Sequence, residues 1–205
     1  MSTITVIGAG NMATAIGGRA ARNGHAVEIM SRNPAHAQAA ADQIGNGAVV
    51  GTYGAVPAGD IVILAVLYQG VVDVVTHFGD ALAGKILVDI TNPFNADGTG
   101  VVTSPGHSVS QQIAAAAPAG THVVKAFNTI FRDVLAEASP LDVLFAGDAA
   151  EARARFAELV TSLGMRPLDT GGLDATYVLE WAAILLMGLA RNGAGWSVAL
   201  GANVN

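Results

Sequence analysis

The sequence predicts an α/β protein built on an open, doubly wound and mostly parallel sheet, and three observations carry that expectation. Short β-branched runs recur along most of the chain, and each is almost continuously apolar, as strands covered on both faces are. Alanine-rich stretches of helical length separate them, giving the βαβα alternation of such a sheet. The first run ends in a glycine-rich turn, Gly8-Ala9-Gly10-Asn11-Met12-Ala13, that opens the first helical stretch.

Strands are expected over residues 4–7, 27–30, 48–51, 61–65, 86–89, 122–126 and 142–145, and helices over 12–22, 34–44, 70–78, 109–116 and 149–163. From Asp174 to about residue 200 the pattern changes. Asp174 reads as an N-cap, and Tyr177, Leu179, Trp181, Ile184, Leu185 and Leu189 are apolar at helical spacing, so a C-terminal helical extension is expected, interrupted near Gly193 and Gly195. No repeat, low-complexity tract or Pro/Ser-rich linker divides the chain.

Composition narrows the function classes. Apolar residues make up 52% of the 205 and charged ones 13%, enough for a large core, and the 25 glycines lack a collagen period. The absence of cysteine excludes disulfides, thiolate metal sites and Cys nucleophiles. Ten Lys+Arg, scattered, stand against sixteen Asp+Glu, a net charge of −6, so no nucleic-acid partner is expected. The longest apolar run, Ala182 to Ala190, falls short of the roughly 20 residues a bilayer requires, and no signal peptide is visible at the N-terminus. No membrane association is expected, and the expected location is cytoplasmic.

The glycine turn carries the functional reading. Gly8 permits a tight turn, Gly10 lets the backbone approach a pyrophosphate, and Ala13 is small enough for helix–strand packing. The pyrophosphate then sits on free N–H groups at the positive end of the helix. This is the arrangement of a Rossmann-type dinucleotide site. The tip of the second strand sets the cofactor. Glu28 lies inside that strand, and the tip carries Ser31 and Arg32, a hydroxyl and a guanidinium suited to a 2′-phosphate. NADP(H) is therefore expected over NAD(H). The other reading makes Ser31 a helix cap and Arg32 a solvated charge. Residues 1–173 are taken as the NADP-binding domain and 174–205 as an extension of it, lying against the sheet or a second subunit.

Other strand ends face the same cleft. Ala65, Val66 and Tyr68 are placed to floor it, although Tyr68 is equally an ordinary aromatic at a helix start. Asn92-Pro93 reads as a turn or as a border of the nicotinamide. Lys125, a charge ending an apolar strand, is either ion-paired or turned toward an anionic substrate, with Arg132 and Arg191 as the other candidates. The five histidines lack metal-ligand spacing and read as turn or surface residues, and neither a Gly-x-Ser-x-Gly elbow nor a carboxylate pair is evident. No metal and no catalytic side chain is assigned; hydride transfer between two cofactors requires proximity, and the cofactors carry the chemistry.

The chain resembles the NADPH-dependent reductases of the deazaflavin coenzyme F420. The resemblance rests on Gly8 to Met12, Ser31-Arg32, Phe127-Asn128-Thr129-Ile130, Ala146-Gly147-Asp148, Arg166 to Leu173, Glu180 and Asn192-Gly193. It implies that Ser31 and Arg32 hold the NADP phosphate. It also implies that the deazaflavin stacks over the nicotinamide in a cleft lined by Asn128, Thr129, Ile130 and residues 193–197, including Gly195, Trp196 and Ser197. The family often has His at Asn128 and Pro at Phe131, so this chain departs from it on the deazaflavin side. A family of transmembrane metalloreductases, in whose cytosolic domain NADPH passes hydride to an ordinary flavin, has a similar stretch at Val123 to Asn128.

The expected activity is hydride transfer between NADP(H) and coenzyme F420. The alternatives are an NADPH:flavin reductase using FMN or FAD, a small imine or ketone reductase, and a non-catalytic NADPH-sensing module. A homodimer is expected through the apolar C-terminal helix.

Overall fold

The computed structural model describes residues 2–137 and 140–203. In chain order the elements are β1 (Thr3–Ile7), α1 (Asn11–Arg22), β2 (Ala26–Met30), α2 (Pro34–Ile44), β3 (Val49–Val50), β4 (Ile61–Leu64), α3 (Tyr68–Phe78), a 3₁₀ turn (Gly79–Leu82), β5 (Ile86–Asp89) and α4 (Val109–Ala116). They continue as β6 (His122–Lys125), α5 (Arg132–Ala136), β7 (Asp142–Gly147), α6 (Ala150–Ser162), β8 (Arg166–Asp169) and α7 (Ala175–Leu189).

The sheet has the order β3-β2-β1-β4-β5-β6-β7-β8. Its first six strands are parallel in the order 3-2-1-4-5-6 of a dinucleotide-binding sheet, with the crossover switch between β1 and β4. β7 joins β6 antiparallel and β8 joins β7 parallel.

Successive strand residues face opposite layers. Ile4 and Val6 pack with α1, α2, α5 and α6 on one face, whereas Ile7, Val62 and Leu64 pack with α3 and α4 on the other. Caps set the helix starts. Asn33 Oδ1 accepts from Ala35 N ahead of Pro34, and Ser108 with Gln111 forms a reciprocal capping box on α4. Glu28 is buried within β2, where it accepts from Thr5 Oγ1 at 2.7 Å and Ala58 N at 2.9 Å. Its carboxylate is thus committed to joining β1, β2 and the turn before β4.

A buried arginine ties the two halves together. Arg19 of α1 donates to Leu163 O at 2.9 Å and to Glu137 O at 2.7 Å, so it serves the carbonyls that end α6 and follow α5.

The structure departs from the sequence expectations at five places. β8 and α5 were not expected. Pro167 and the flanking charges of Arg166 and Asp169 hide an edge strand, the one sheet position where proline is tolerated, and α5 has only five residues. α7 ends at Leu189, the expected break near Gly193 follows within a few residues, and no helix resumes toward residue 200. The chain widens through Ala190–Ala194, where Asn192 and Gly193 leave helical geometry and Gly193 takes φ +114°. Asp174 occupies the N-cap position without capping. Its backbone is helical, and its carboxylate accepts from Gln111 Nε2. His25 is buried between Ser2 and Ser162, each within 3.0 Å of a ring nitrogen, and burial holds its pKa below the usual imidazole range.

Candidate nucleotide-binding site

The β1–α1 turn is built by two glycines used for different reasons. Gly8 takes φ +130°, and a Cβ there would stand 2.1 Å from the Ala65 carbonyl oxygen. Only glycine lets β1 turn this close to the end of β4. Its N–H donates to Met30 O at 2.8 Å, fixing the turn to β2 as well. Gly10 has an ordinary φ of −87° and nothing within 4 Å of a built Cβ, so the space above it is open. It is the N-cap of α1, yet no side chain caps that end and no acidic residue lies in its first turn. Arg19 and Arg22 complement the dipole at the far end. The N-terminal amides of α1 are thus presented to open space, which fits a diphosphate.

That space belongs to a cleft of about 1300 Å³ along the carboxyl ends of the parallel strands. It collects nearly every expected cofactor contact: Gly8, Ala9, Gly10, Asn11 and Met12 from the turn, Ser31 and Arg32 from β2, Ala65, Val66 and Tyr68 after β4, and Asn92 after β5. Tyr68 is both the first residue of α3 and part of the wall. Pro93 is off the wall. Val102 N donates to its carbonyl and Phe94 bridges to Val101, so the loop turns away and Phe94 takes the wall position.

At the β2 end the cap of α2 is Asn33, not Ser31. Arg32 is exposed at the cleft and makes no hydrogen bond or ion pair among the described residues. Tyr53 and His77 stand on the same wall with rings stacked at 5.0 Å. Burial pushes the Tyr53 phenol up against the opposing pull of the Arg32 charge. No periodic pattern marks either ring, since one lies in a loop and the other near the end of a helix.

The other end of the cleft is lined by Ile90, Thr91, Asn92 and Phe94. Behind it lies a carboxylate pair that sequence reading missed, because its members are 91 residues apart (Asp89 and Glu180). Lys125 Nζ donates to Asp89 Oδ2 at 2.9 Å and to Thr91 O at 2.8 Å, and lies 3.8 Å from Glu180 Oε1, all three side chains being fully buried. Lys125 is therefore ion-paired and does not face a substrate. Burial works to raise the Asp89 pKa, but Lys125, Ser110 Oγ and Thr91 N together hold it below the usual carboxylate range. For Glu180 burial wins, and its pKa is raised despite Lys125, Thr103 Oγ1 and Val109 N.

Asn128, Thr129 and Ile130 are likewise buried behind the wall instead of on it. Asn128 Nδ2 donates to Asn92 Oδ1 at 3.1 Å and to Leu179 O at 2.8 Å, while Asn92 Nδ2 donates to Asn128 O. Asn128 thus reaches the cleft through Asn92. Gly195, Trp196 and Ser197 are outside the wall. Trp196 packs edge-on against Phe131 at 5.3 Å and Ala199 bridges to Ile130, so the tail runs beside the 127–131 loop. Arg132 pairs with Asp133, and Arg191 donates to the carbonyls of Asp97 and Gly98. Among the described residues no group of three or more His, Asp or Glu could hold a metal ion, and no helix is long and apolar enough to cross a membrane.

Residues 3–93 match the family described as NADP oxidoreductase, coenzyme F420-dependent. The rat (Rattus norvegicus) metalloreductase STEAP3 is 30% identical over 188 residues, 90% of this chain but 37% of that protein. The F420-dependent NADP reductase of Methanocaldococcus jannaschii is 30% identical over 139 residues, 64% of this chain and 62% of that one. The chain therefore spans less than two thirds of the length of either relative. A solved structure from Arthrobacter sp. FB24, 24% identical, superposes with a TM-score of 0.81 over 96% of this chain and 97% of that one, which shows the same fold. The matched segment runs from β1 through the glycine turn, Ser31-Arg32 and the β4 end to Pro93, so the likeness to coenzyme F420-dependent NADP oxidoreductases covers the stretch that lines the cleft.

Proposed function

We propose that the protein is an oxidoreductase that moves a hydride between NADP(H) and the deazaflavin coenzyme F420. The observation that carries the reading is Arg32, a guanidinium without an anionic partner among the described residues, beside Ser31 on the cleft that the Gly8–Met12 turn opens into. The turn and the amides of α1 receive the diphosphate, Ser31 and Arg32 receive the 2′-phosphate, and Tyr53 with His77 walls the adenosine end. Asn92, held by Asn128, orients the nicotinamide end with Thr91 and Phe94. When bound, the dinucleotide supplies or accepts the hydride, and solvent supplies the proton that balances reduction of the acceptor. The chain contributes position and exclusion of water, which is consistent with a wall that is mostly apolar side chain and backbone.

The experiment is an acceptor panel. NADPH is mixed with protein and with deazaflavin, FMN or FAD, and bleaching of each acceptor is followed. Turnover ranked deazaflavin first supports the reading. Faster turnover with FMN or FAD transfers it to an NADPH:flavin reductase, which the match to the metalloreductase over 90% of the chain favours as the second reading.

Cofactor choice has its own test. Arg32→Ala removes a charge-assisted contact to the 2′-phosphate and is expected to weaken NADPH binding about 10- to 150-fold while leaving NADH nearly unmoved. Calorimetric titration with both nucleotides checks this; equal losses would make Arg32 structural. The proposal includes a homodimer in the cytoplasm. Val178, Trp181, Leu185 and Leu189 form an exposed apolar stripe on α7, and light scattering at micromolar concentration tests whether a second copy covers it.

A further inference from the structure

The hydride-transfer scheme leaves one buried charged group unused. Asp89, Lys125 and Glu180 have no solvent exposure, and with both carboxyls ionised the group carries one negative charge more than its single ammonium balances. A purely structural tie would need only the neutral Lys125–Asp89 pair. Glu180 is added from α7 and held by Thr103 Oγ1 at 2.5 Å and Val109 N at 2.8 Å, donors that favour its ionised form.

This charge stands directly behind the cleft. Ile90, Thr91 and Asn92, which follow Asp89 in sequence, line the wall, and Lys125 Nζ grips the carbonyl of Thr91. Charges buried this way are poorly screened and act through the wall more strongly than surface charges do. The nicotinamide ring carries a positive charge in NADP⁺ and none in NADPH, and the remainder of the molecule is the same in both. A fixed negative charge here therefore acts on the difference between the two forms.

Building on the NADP(H) reading above, we infer that the buried Asp89–Lys125–Glu180 group sets the relative affinity of the cleft for oxidised and reduced NADP, favouring the oxidised form. The three are positioning residues in the electrostatic sense, since none of them touches the cleft. Glu180 supplies the unbalanced charge. Among the described residues it has no ion pair outside this group. Segment 101–108 and α4 bring Thr103, Ser108 and the Val109 N–H, and the remaining titratable side chains there and on the α7 side, His107, Asp174 and Tyr177, are exposed or half-buried.

Glu180→Gln tests this, because it keeps an acceptor for Val109 and Thr103 and removes only the charge. Dissociation constants of NADP⁺ and NADPH are measured by calorimetry at about pH 8. The ratio Kd(NADP⁺)/Kd(NADPH) is expected to rise about three- to tenfold. Equal changes in both constants would mean a merely structural role and overturn the inference. The unaltered protein gives an independent reading that does not depend on the variant folding. Acidifying the unaltered protein protonates Glu180, whose pKa burial raises above the ordinary carboxylate range, and should raise the same ratio, because titration of the 2′-phosphate affects both forms alike and cancels. A flat ratio overturns the inference while leaving NADP(H) binding intact. Failure of both nucleotides to bind the unaltered protein overturns the NADP(H) reading itself, and the inference with it.

Discussion

Gly8→Ala is expected to remove both stability and nucleotide binding. A methyl group at this position meets the Ala65 carbonyl at 2.1 Å, a backbone atom that cannot rotate away, and φ +130° is costly for any side chain. Relief requires pulling β1 from β4 at the centre of the sheet, where Ala65 N bonds to Ile7 O. The expected loss is about 3 kcal/mol or more, a fall in melting temperature of roughly 6–12 °C by thermal denaturation. Gly10→Ala is the control. It has open space and ordinary dihedrals, so its melting temperature should hold while diphosphate affinity drops. If both variants melt like the unaltered protein, the turn is not under the steric constraint described here.

Lys125→Met should be the most costly side-chain replacement at the site. It fills the volume but leaves Asp89 and Glu180 buried without a cation, and breaking a buried pair in this way costs about 3–5 kcal/mol. The pH dependence distinguishes charge from packing. In the unaltered protein the folded pKa of Asp89 is depressed, so its contribution is present above the unfolded value of about 3.9 and lost as pH falls through the lower folded value. The folded pKa of Glu180 is raised, so its contribution is full below about 4.3 and declines as pH rises through the folded value. Without Lys125 both carboxyls prefer the protonated form, and the deficit in melting temperature should be smaller near pH 5 than near pH 8. A deficit independent of pH would assign the loss to packing alone.

Much of the glycine-turn end of the cleft could be read from the chain because each of its signals is local. Gly8 to Met12 sit between a strand and a helix within one short stretch, and Ser31-Arg32 follow directly from the end of β2. The opposite end is assembled from positions far apart. Lys125 stood out as a charge on an apolar strand, but its partners, Asp89 of β5 and the more distant Glu180 of α7, are linked to β6 by no spacing rule. Asn128, Thr129 and Ile130 were expected on the cleft because the resemblance places the deazaflavin against them, yet the Asn92–Asn128 exchange holds them behind it. Tyr53 and His77 escaped notice because stacking joins a loop to a helix end. β8 was hidden by Pro167, since edge strands do not require the continuous apolar run that identified the inner ones.

The brace formed by Arg19 has a consequence for anyone wishing to use the phosphate-binding half by itself. The family match ends at residue 93, and a truncation there would look like a portable module. It would also strip away the carbonyls of Leu135, Glu137, Leu163 and Gly164 that receive this guanidinium. The excised fragment would carry a cation in its first helix facing a lost interface, so the smallest unit that keeps the glycine turn in its native setting extends at least through Gly164.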